Sequence, residues 1–421
     1  MAQIRPFKAV HYNKEKVKDI SKVVCPPYDV ISKEQQLRFH SLSPQNFIHI
    51  LLGREKPKDD ENDNKYTRAK QIYEEWLKTQ ILVEDQKPCI YYYKQEYKIL
   101  GQRHSRLGFI ALMELEDEED SRIFPHENTH SHAKEDRFRL WTSVKSNLSP
   151  IFVCFSDRDK KVETIFAKYV VNKEPFFNVV DDDGVRHMMW CLDDPGHIRS
   201  IQNTLTDQNL FIADGHHRYE VAQQIRKLKT RNKPRTDEPD PYSFVMTYFT
   251  NMDSKDLQIF PMHRIIKKMP GSLEFLEEYF RIDKLKSKED LMILLAKAGK
   301  NEYAFGLYSR DGIRLLRLKN KLLIDSFIKE GSSEFKRLDA TILKYFVFDK
   351  LGIKSEDISY TKDFQEASDM VDNGQADAAF IMNPVKIQQI QAIALNGERM
   401  PPKTTYFYPK VLSGLTVYKI E

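Results

Sequence analysis

The stretch Phe211-Ile-Ala-Asp214-Gly215-His216-His217-Arg218-Tyr219 changes character at its centre. A short apolar run, Leu210 to Ala213, is cut by Asp214-Gly215, and the polar cluster that follows opens a pattern continued by Tyr219, Val221, Ala222 and Ile225. This reads as strand, tight turn, helix. Gly215 gives the turn backbone angles that a side chain would forbid. The first N–H groups of the new helix point outward and favour an anion, and Arg218 adds a planar, bidentate partner for phosphate or carboxylate. The spacing leaves two readings open, a capped helix with solvated charges and a phosphate site, and the density of polar groups favours the second.

Composition sets the frame. A chain of 421 residues is long enough for two to three domains. With 41% hydrophobic and 30% charged residues it resembles an ordinary soluble globular protein. The net charge of +4, from 66 basic and 62 acidic residues, gives little reason to expect nucleic acid. No apolar run reaches the roughly 18 residues of a membrane helix, and Met1-Ala-Gln-Ile-Arg5 lacks the core of a signal peptide, so no membrane partner is expected. Cys25, Cys89, Cys154 and Cys191 form no CxxC pair, which fits reduced thiols and a cytoplasmic location.

N-terminal to the central stretch, Pro26-Pro27 stiffens a turn that either is purely structural or presents Tyr28 and Asp29 to a site. Ser32 with Gln35 resembles a capping box, residues 55–65 a charged loop, and Tyr66 to Leu77 a helix with a core-facing stripe. Cys89 to Ile99 and Leu107 to Leu115 read as strands, followed by an acidic loop, Glu114 to Asp120. The run Phe124 to Arg137 holds His126, Glu127, His130, His132 and Arg137. It matches no zinc spacing, so a dedicated metal site is not expected. Either it is a capped helix with surface histidines, or it is a polar rim in which His126 or Glu127 exchanges protons and Arg137 binds an anion. Ile151 to Phe155 reads as a buried strand, 161–171 as a helix and Met188 to Leu192 as a strand.

Beyond the central helix come a basic tail, Arg226 to Arg235, a loop, Thr236 to Pro241, and a buried strand, Ser243 to Thr250. His263-Arg264 on an apolar strand reads as structural. The pattern then predicts a helix over Leu273 to Phe280 and a hairpin across Ser309 to Gly312. It continues with an amphipathic helix over Leu338 to Val347, a strand at Asp377 to Met382, and a helix starting at Asn383-Pro384 and stopping near Asn396-Gly397. In Glu398 to Lys410, a lysine beside two hydroxyl residues, Lys403, Thr404 and Thr405, offers phosphate donors, or else is a basic surface loop.

Cys25-Pro-Pro-Tyr-Asp-Val-Ile31, His126-Glu-x-Thr129 with Glu135-Asp-Arg137, Asn147-Leu-Ser-Pro-Ile151, Ala213-Asp-Gly-His-His-Arg-Tyr-Glu220 and Met400-Pro-x-Lys-x-Thr-Tyr-Phe-Tyr-Pro409 together resemble the family of unknown function numbered 1015, over nearly the whole chain. A shorter resemblance, confined to Asp214-Gly-His-His-Arg218, is to the phosphate-binding box of the ParB/sulfiredoxin superfamily, which includes free-serine kinases. Sulfiredoxins place a reactive cysteine in that box, where this chain has His216, so cysteine reduction is disfavoured. The serine-kinase branch, with histidines in the box, is the most similar.

The resemblance implies a nucleotide, ATP or ADP, with Mg²⁺, and a small hydroxylated substrate, free serine or phosphoserine being the best single guess. The reaction expected is phosphoryl transfer, as a kinase or in the phosphate-removing direction. Gly215, Arg218, Lys403, Thr404 and Thr405 would bind phosphate, and Tyr28, Asp29 and Arg137 the substrate. Asp214, His216, His217, His126 and Glu127 are the candidate catalytic residues. A non-catalytic nucleotide-binding regulator and a His/carboxylate metal-dependent hydrolase are the alternatives. The expected fold is α+β, mixed α/β, with a ParB/sulfiredoxin-like core and helix-rich flanks. The segments expected are an N-terminal region at 1–150, the box-bearing core at 151–269 and a C-terminal region at 270–421.

Overall fold

The computed structural model describes residues 3–117, 121–129, 131–170, 172–231 and 240–421. The sequence readings at His130, the acidic residues 118–120, the end of the basic tail and most of the loop before Pro241 lie outside them. The chain forms a mixed α/β structure of two compact units.

The first unit comprises Met1–Pro125, Thr129–Leu257 and Pro409–Glu421. Its sheet is built from β1 Ile4–Arg5, β2 Ile90–Ile99, β3 Gln102–Glu114, β4 Ile123–Phe124, β5 Ile151–Phe155, β6 Phe177–Val180, β7 Arg186–Leu192, β8 Leu210–Asp214 and β9 Phe244–Asn251. The spatial order is β4-β8-β5-β9-β3-β2-β7-β6, with β1 paired to β3. The two longest strands, β2 and β3, meet in a hairpin whose turn residues Leu100 and Gly101 both take positive φ, 48° and 80°, the backbone twist that joins such strands without splaying them. β9 pairs parallel to β5 and antiparallel to β3.

Six helices of this unit are α1 Lys33–Leu42, α2 Lys65–Lys78, α3 Ser131–Val144, α4 Lys161–Val170, α5 Pro195–Leu205 and α6 His216–Thr230. The Ser32/Gln35 capping box is present, with Gln35 N–H on Ser32 Oγ at 3.1 Å and Ser32 N–H on Gln35 Oε1 at 2.9 Å. Helices α4, α5 and α6 bring Val162 and Phe166, Ile198, Ile201 and Leu205, and Tyr219, Val221, Ala222 and Ile225 into one core with Phe109, Phe155 and Phe249 of the sheet. Those spacings of three and four residues place each set on a single helix face.

The second unit comprises His126–Asn128 and Gln258–Tyr408. Its sheet is wholly antiparallel: β10 His263–Ile266, β11 Phe280–Leu285, β12 Ala304–Ser309, β13 Gly312–Leu318, β14 Ile358–Thr361 and β15 Ala378–Ile381, in the order β11-β13-β12-β15-β10-β14. Its helices include α7 Lys288–Ala298, α8 Asp339–Leu343, α9 Phe364–Asp372 and α10 Ile387–Leu395. Leu291, Leu295, Ala367 and Val371 pack on one face of this sheet, and Ile342, Phe346 and Val347 on the other.

Three expectations need correction here. The helix expected over Leu273 to Phe280 is a single turn, Leu276–Tyr279, because Phe280 starts β11, pairing with Leu318 and burying its ring against Phe305. The helix expected over Leu338 to Val347 is α8 followed by a π-helical turn, Lys344–Phe348, which keeps Phe346, Val347 and Phe348 all buried. Helix α10 starts at Ile387, not at Pro384, because Lys386 N–H bonds Gln389 Oε1 at 3.0 Å and caps it there.

Candidate functional site

Strand β8 runs between β4 and β5, and its register with β5 shifts between Ile212 and Asp214. The irregularity falls at Ala213, where a bulge re-aims the following side chain. Gly215 then caps α6 at φ 86°, ψ 28°, the left-handed region. A Cβ there would come within 2.9 Å of Arg218 Nη2 and 3.0 Å of its Nε. Glycine is therefore required twice, by backbone angle and by the guanidinium folded over it. His216 is buried, His217 half-buried.

Asp214 holds two cations. Arg218 Nη2 bonds its Oδ2 at 2.8 Å, and Lys410 Nζ bonds Oδ1. Arg218 Nη1 also donates to the Pro150 carbonyl. The Arg218, Asp214 and Lys410 side chains are only 11%, 12% and 10% exposed, so water screens their charges weakly. Two positive charges on one carboxylate leave the box net positive, beside a helix N-terminus whose dipole adds the same sign.

Lys410 is placed by a buried network that sequence reasoning missed. Arg106, with no exposed surface, bonds Gln95 Oε1 through Nε at 3.1 Å and the Pro409 carbonyl through Nη2, while Gln95 Nε2 bonds the Lys410 carbonyl at 2.9 Å. The Arg106 guanidinium also lies 4.7 Å from the Phe152 ring centroid and 5.4 Å from that of Tyr248. In sequence, Arg106 reads as one more polar residue at the head of a strand, and nothing local marks it.

Tyr28 and Arg137 belong to the same neighbourhood. The Arg137 guanidinium stands 4.0 Å from the Tyr28 ring centroid, bonds Asp136 Oδ2 through Nε at 2.9 Å and bonds the Leu51 carbonyl at 2.9 Å. Burial, then the Asp29 charge, pushes the Tyr28 phenol up, and the Arg137 and Arg218 charges only partly offset this. Tyr28, Arg137 and Arg218 line one cavity of about 50 Å³ together with Trp141, Asn147 and Ser149. Asp29 lies half-buried in the same 3₁₀ turn as Tyr28. Glu220, two residues beyond the box, accepts from Thr129 Oγ1 at 2.6 Å and Lys134 Nζ at 3.0 Å, which ties α6 to the start of α3.

The other expected residues gather in the second unit. Glu127 forms a parallel bridge with Met400, its carboxylate accepts the Lys403 backbone N–H, and Arg399 bonds its carbonyl at 3.2 Å. His126 is fully buried, with Nε2 3.4 Å from Thr405 Oγ1. Thr404 is buried with its hydroxyl on the Pro401 carbonyl at 2.5 Å, an arrangement that commits its proton locally. Arg264, read from sequence as structural, is 4% exposed in this unit. Burial pulls its guanidinium down to about 10, against the opposing influence of Tyr360, Asp339 and Glu127. Burial likewise pushes Asp339 up to about 7, while Arg264 and Lys386 pull it back.

No group of three or more His, Cys, Asp and Glu among the described residues is placed to hold a metal ion. No helix among them is long and apolar enough to cross a membrane.

Several solved structures are similar in outline. A free serine kinase in complex with AMP matches at 15% identity and a TM-score of 0.34, over 68% of this chain and 83% of that one. A conserved hypothetical protein from Pyrococcus furiosus matches at 15% and 0.36, over 70% and 92%. SbnI with a C-terminal truncation, from Staphylococcus aureus, matches at 13% and 0.35, over 69% and 82%. No curated protein matches the sequence. The model of the family described as protein of unknown function, DUF1015, matches residues 4–341, which include the box and most of both units, and the chain belongs to that family.

Proposed function

We propose that the turn at Gly215 binds nucleotide phosphates and that the protein transfers a phosphoryl group between a nucleotide and a small hydroxylated metabolite, with free serine or phosphoserine the first pair to test. The observation that carries this is the pairing of Arg218 and Lys410 on Asp214 beside the left-handed Gly215 cap of α6. Phosphoryl transfer asks a protein chiefly for charge neutralisation and positioning. A helix N-terminus with two weakly screened cations supplies both.

In the kinase direction the terminal P–O bond of the nucleotide breaks as the metabolite oxygen bonds phosphorus, and the hydroxyl proton leaves to a base. Arg218 and Lys410 stabilise the charge on the phosphoryl oxygens. His217, half-buried on the second turn position of the box, carries the proton. Asp214 anchors the two cations, so it does not fit as a metal ligand, and Mg²⁺ would enter with the nucleotide phosphates.

Calorimetric titration with ADP and ATP, followed by phosphorus NMR with serine and phosphoserine, tests the reading. Nucleotide binding with turnover of either pair supports it. Binding without turnover of any hydroxylated metabolite would favour the regulator, and no binding at all would remove the proposal.

A further inference from the structure

Three residues that line the cavity beside the box each carry a buried nitrogen donor with no acceptor among the described residues: Arg218 Nε, Trp141 Nε1 and Asn147 Nδ2. Trp141 is 9% exposed and Asn147 5%. Folded proteins leave few buried donors unsatisfied, because each forfeits its bonds to water. Three at one cavity require a common explanation.

Their chemistry is one-sided. An indole N–H and a guanidinium Nε–H can only donate. Asn147 Oδ1 accepts the Met246 N–H at 2.8 Å, which fixes the amide orientation and leaves Nδ2 as a donor too. One N–H on each Arg218 Nη is taken by Pro150 or Asp214, and Arg137 is bonded to Asp136 and Leu51, so Arg137 contributes charge more than new bonds. Ser149 shares its hydroxyl with Ser413 at 2.6 Å. The cavity therefore asks for a compact group rich in lone pairs, without protons of its own and negatively charged. A carboxylate meets each condition. At about 50 Å³ the space takes a functional group, not a nucleoside, since pockets for drug-sized ligands run to roughly 300–1,000 Å³.

We propose that this cavity is a subsite for the carboxylate of a small hydroxy or amino acid, held by Arg218 Nε, Trp141 Nε1 and Asn147 Nδ2. Because Arg218 borders both the cavity and the box, that acid is the phosphoryl acceptor, and in this respect the inference rests on the phosphotransfer reading. The substrate class narrows from hydroxylated metabolites in general to those carrying a carboxylate.

The test titrates the full chain with glycerate and L-serine against glycerol and L-serinamide, which lack the carboxylate, reading tryptophan fluorescence and heat. Inorganic phosphate and ADP form separate arms. Both acids should saturate the protein, with the neutral partners bound at least about ten-fold more weakly. Trp141→Phe keeps an aromatic ring but removes the indole N–H, so this variant is read by heat, and Asn147→Asp replaces the donor with a carboxylate oxygen. Each should weaken the acids by about ten-fold or more. Equal binding of acids and neutral analogues overturns the proposal, as do unchanged acid affinities in both variants. Inorganic phosphate displacing the acids with higher affinity also overturns it, in favour of a phosphate pocket. If ADP binds and the acids do not, this inference fails and the nucleotide reading stands. If the acids bind and ADP does not, the carboxylate subsite stands, while the nucleotide reading and with it the acceptor role of the acid fall.

Discussion

Lys410 Nζ donates to Asp214 Oδ1, joining two residues 196 positions apart in the chain and completing a box that otherwise lies within five residues. Removing the lysine leaves a nearly buried carboxylate with Arg218 alone. Lys410→Met should therefore cost about 3 kcal/mol of stability, the lower end for breaking a buried pair, and weaken ADP binding. Urea unfolding and calorimetry on the same variant read the two effects separately.

Gly215→Ala should be costly out of proportion to its size. The φ of 86° strains any residue with a Cβ, by roughly 1–2 kcal/mol. The new methyl also meets the Arg218 guanidinium at 2.9–3.0 Å and must displace it. Thermal unfolding should fall modestly while nucleotide affinity falls more, because the displaced group is the proposed phosphate partner.

Arg106 acts on the box through Lys410. Its planar fork bonds Gln95 and Pro409 together and stacks on Phe152, a set of contacts that a lysine cannot reproduce. Arg106→Lys should loosen the segment at Pro409 and Lys410 and weaken ADP binding several-fold, by about 1 kcal/mol. If the role is positional, adding Arg106→Lys to Lys410→Met should weaken ADP binding little further, and a double-mutant cycle measures this.

The contribution of His263 to stability should fall as pH drops from 6.5 towards 4. Burial, then the Arg264 charge, pulls His263 down from 6.5 to about 4, and its Nδ1 accepts the Met382 N–H at 3.1 Å, a bond that needs the neutral ring. Below pH 6.5 the unfolded chain takes up this proton and the folded one does not, so the unfolded state gains until pH reaches about 4. The slope contributed is at most about 1.4 kcal/mol per pH unit. Urea midpoints between neutral pH and pH 4.5 should converge for wild type and His263→Gln as the pH falls.

What was legible in the sequence was local. The strand, turn and helix around Gly215 are written in adjacent residues, and the Ser32/Gln35 cap lies within one helical turn. The bulge at Ala213 was not legible, because it depends on pairing with β5. Lys410 lies inside the stretch read as phosphate-friendly, yet Lys403 is the more conspicuous lysine there because two hydroxyl residues follow it. What holds the Lys410 backbone beside the box is Arg106 and Gln95, some 300 residues away. Likewise Phe280 fits helical spacing with Leu276, and only its partner strand β13 shows that it belongs to a sheet.

The most direct test of the central claim is the affinity of ADP for the wild type and for Arg218→Ala, measured by calorimetry at one fixed salt concentration. Saturable binding by the wild type and a loss of at least about ten-fold in the variant, as for a charge-assisted bond, is the predicted result. Equal affinity in both proteins, or no binding by a folded wild type, would contradict the assignment of the Gly215 turn as a nucleotide-phosphate site.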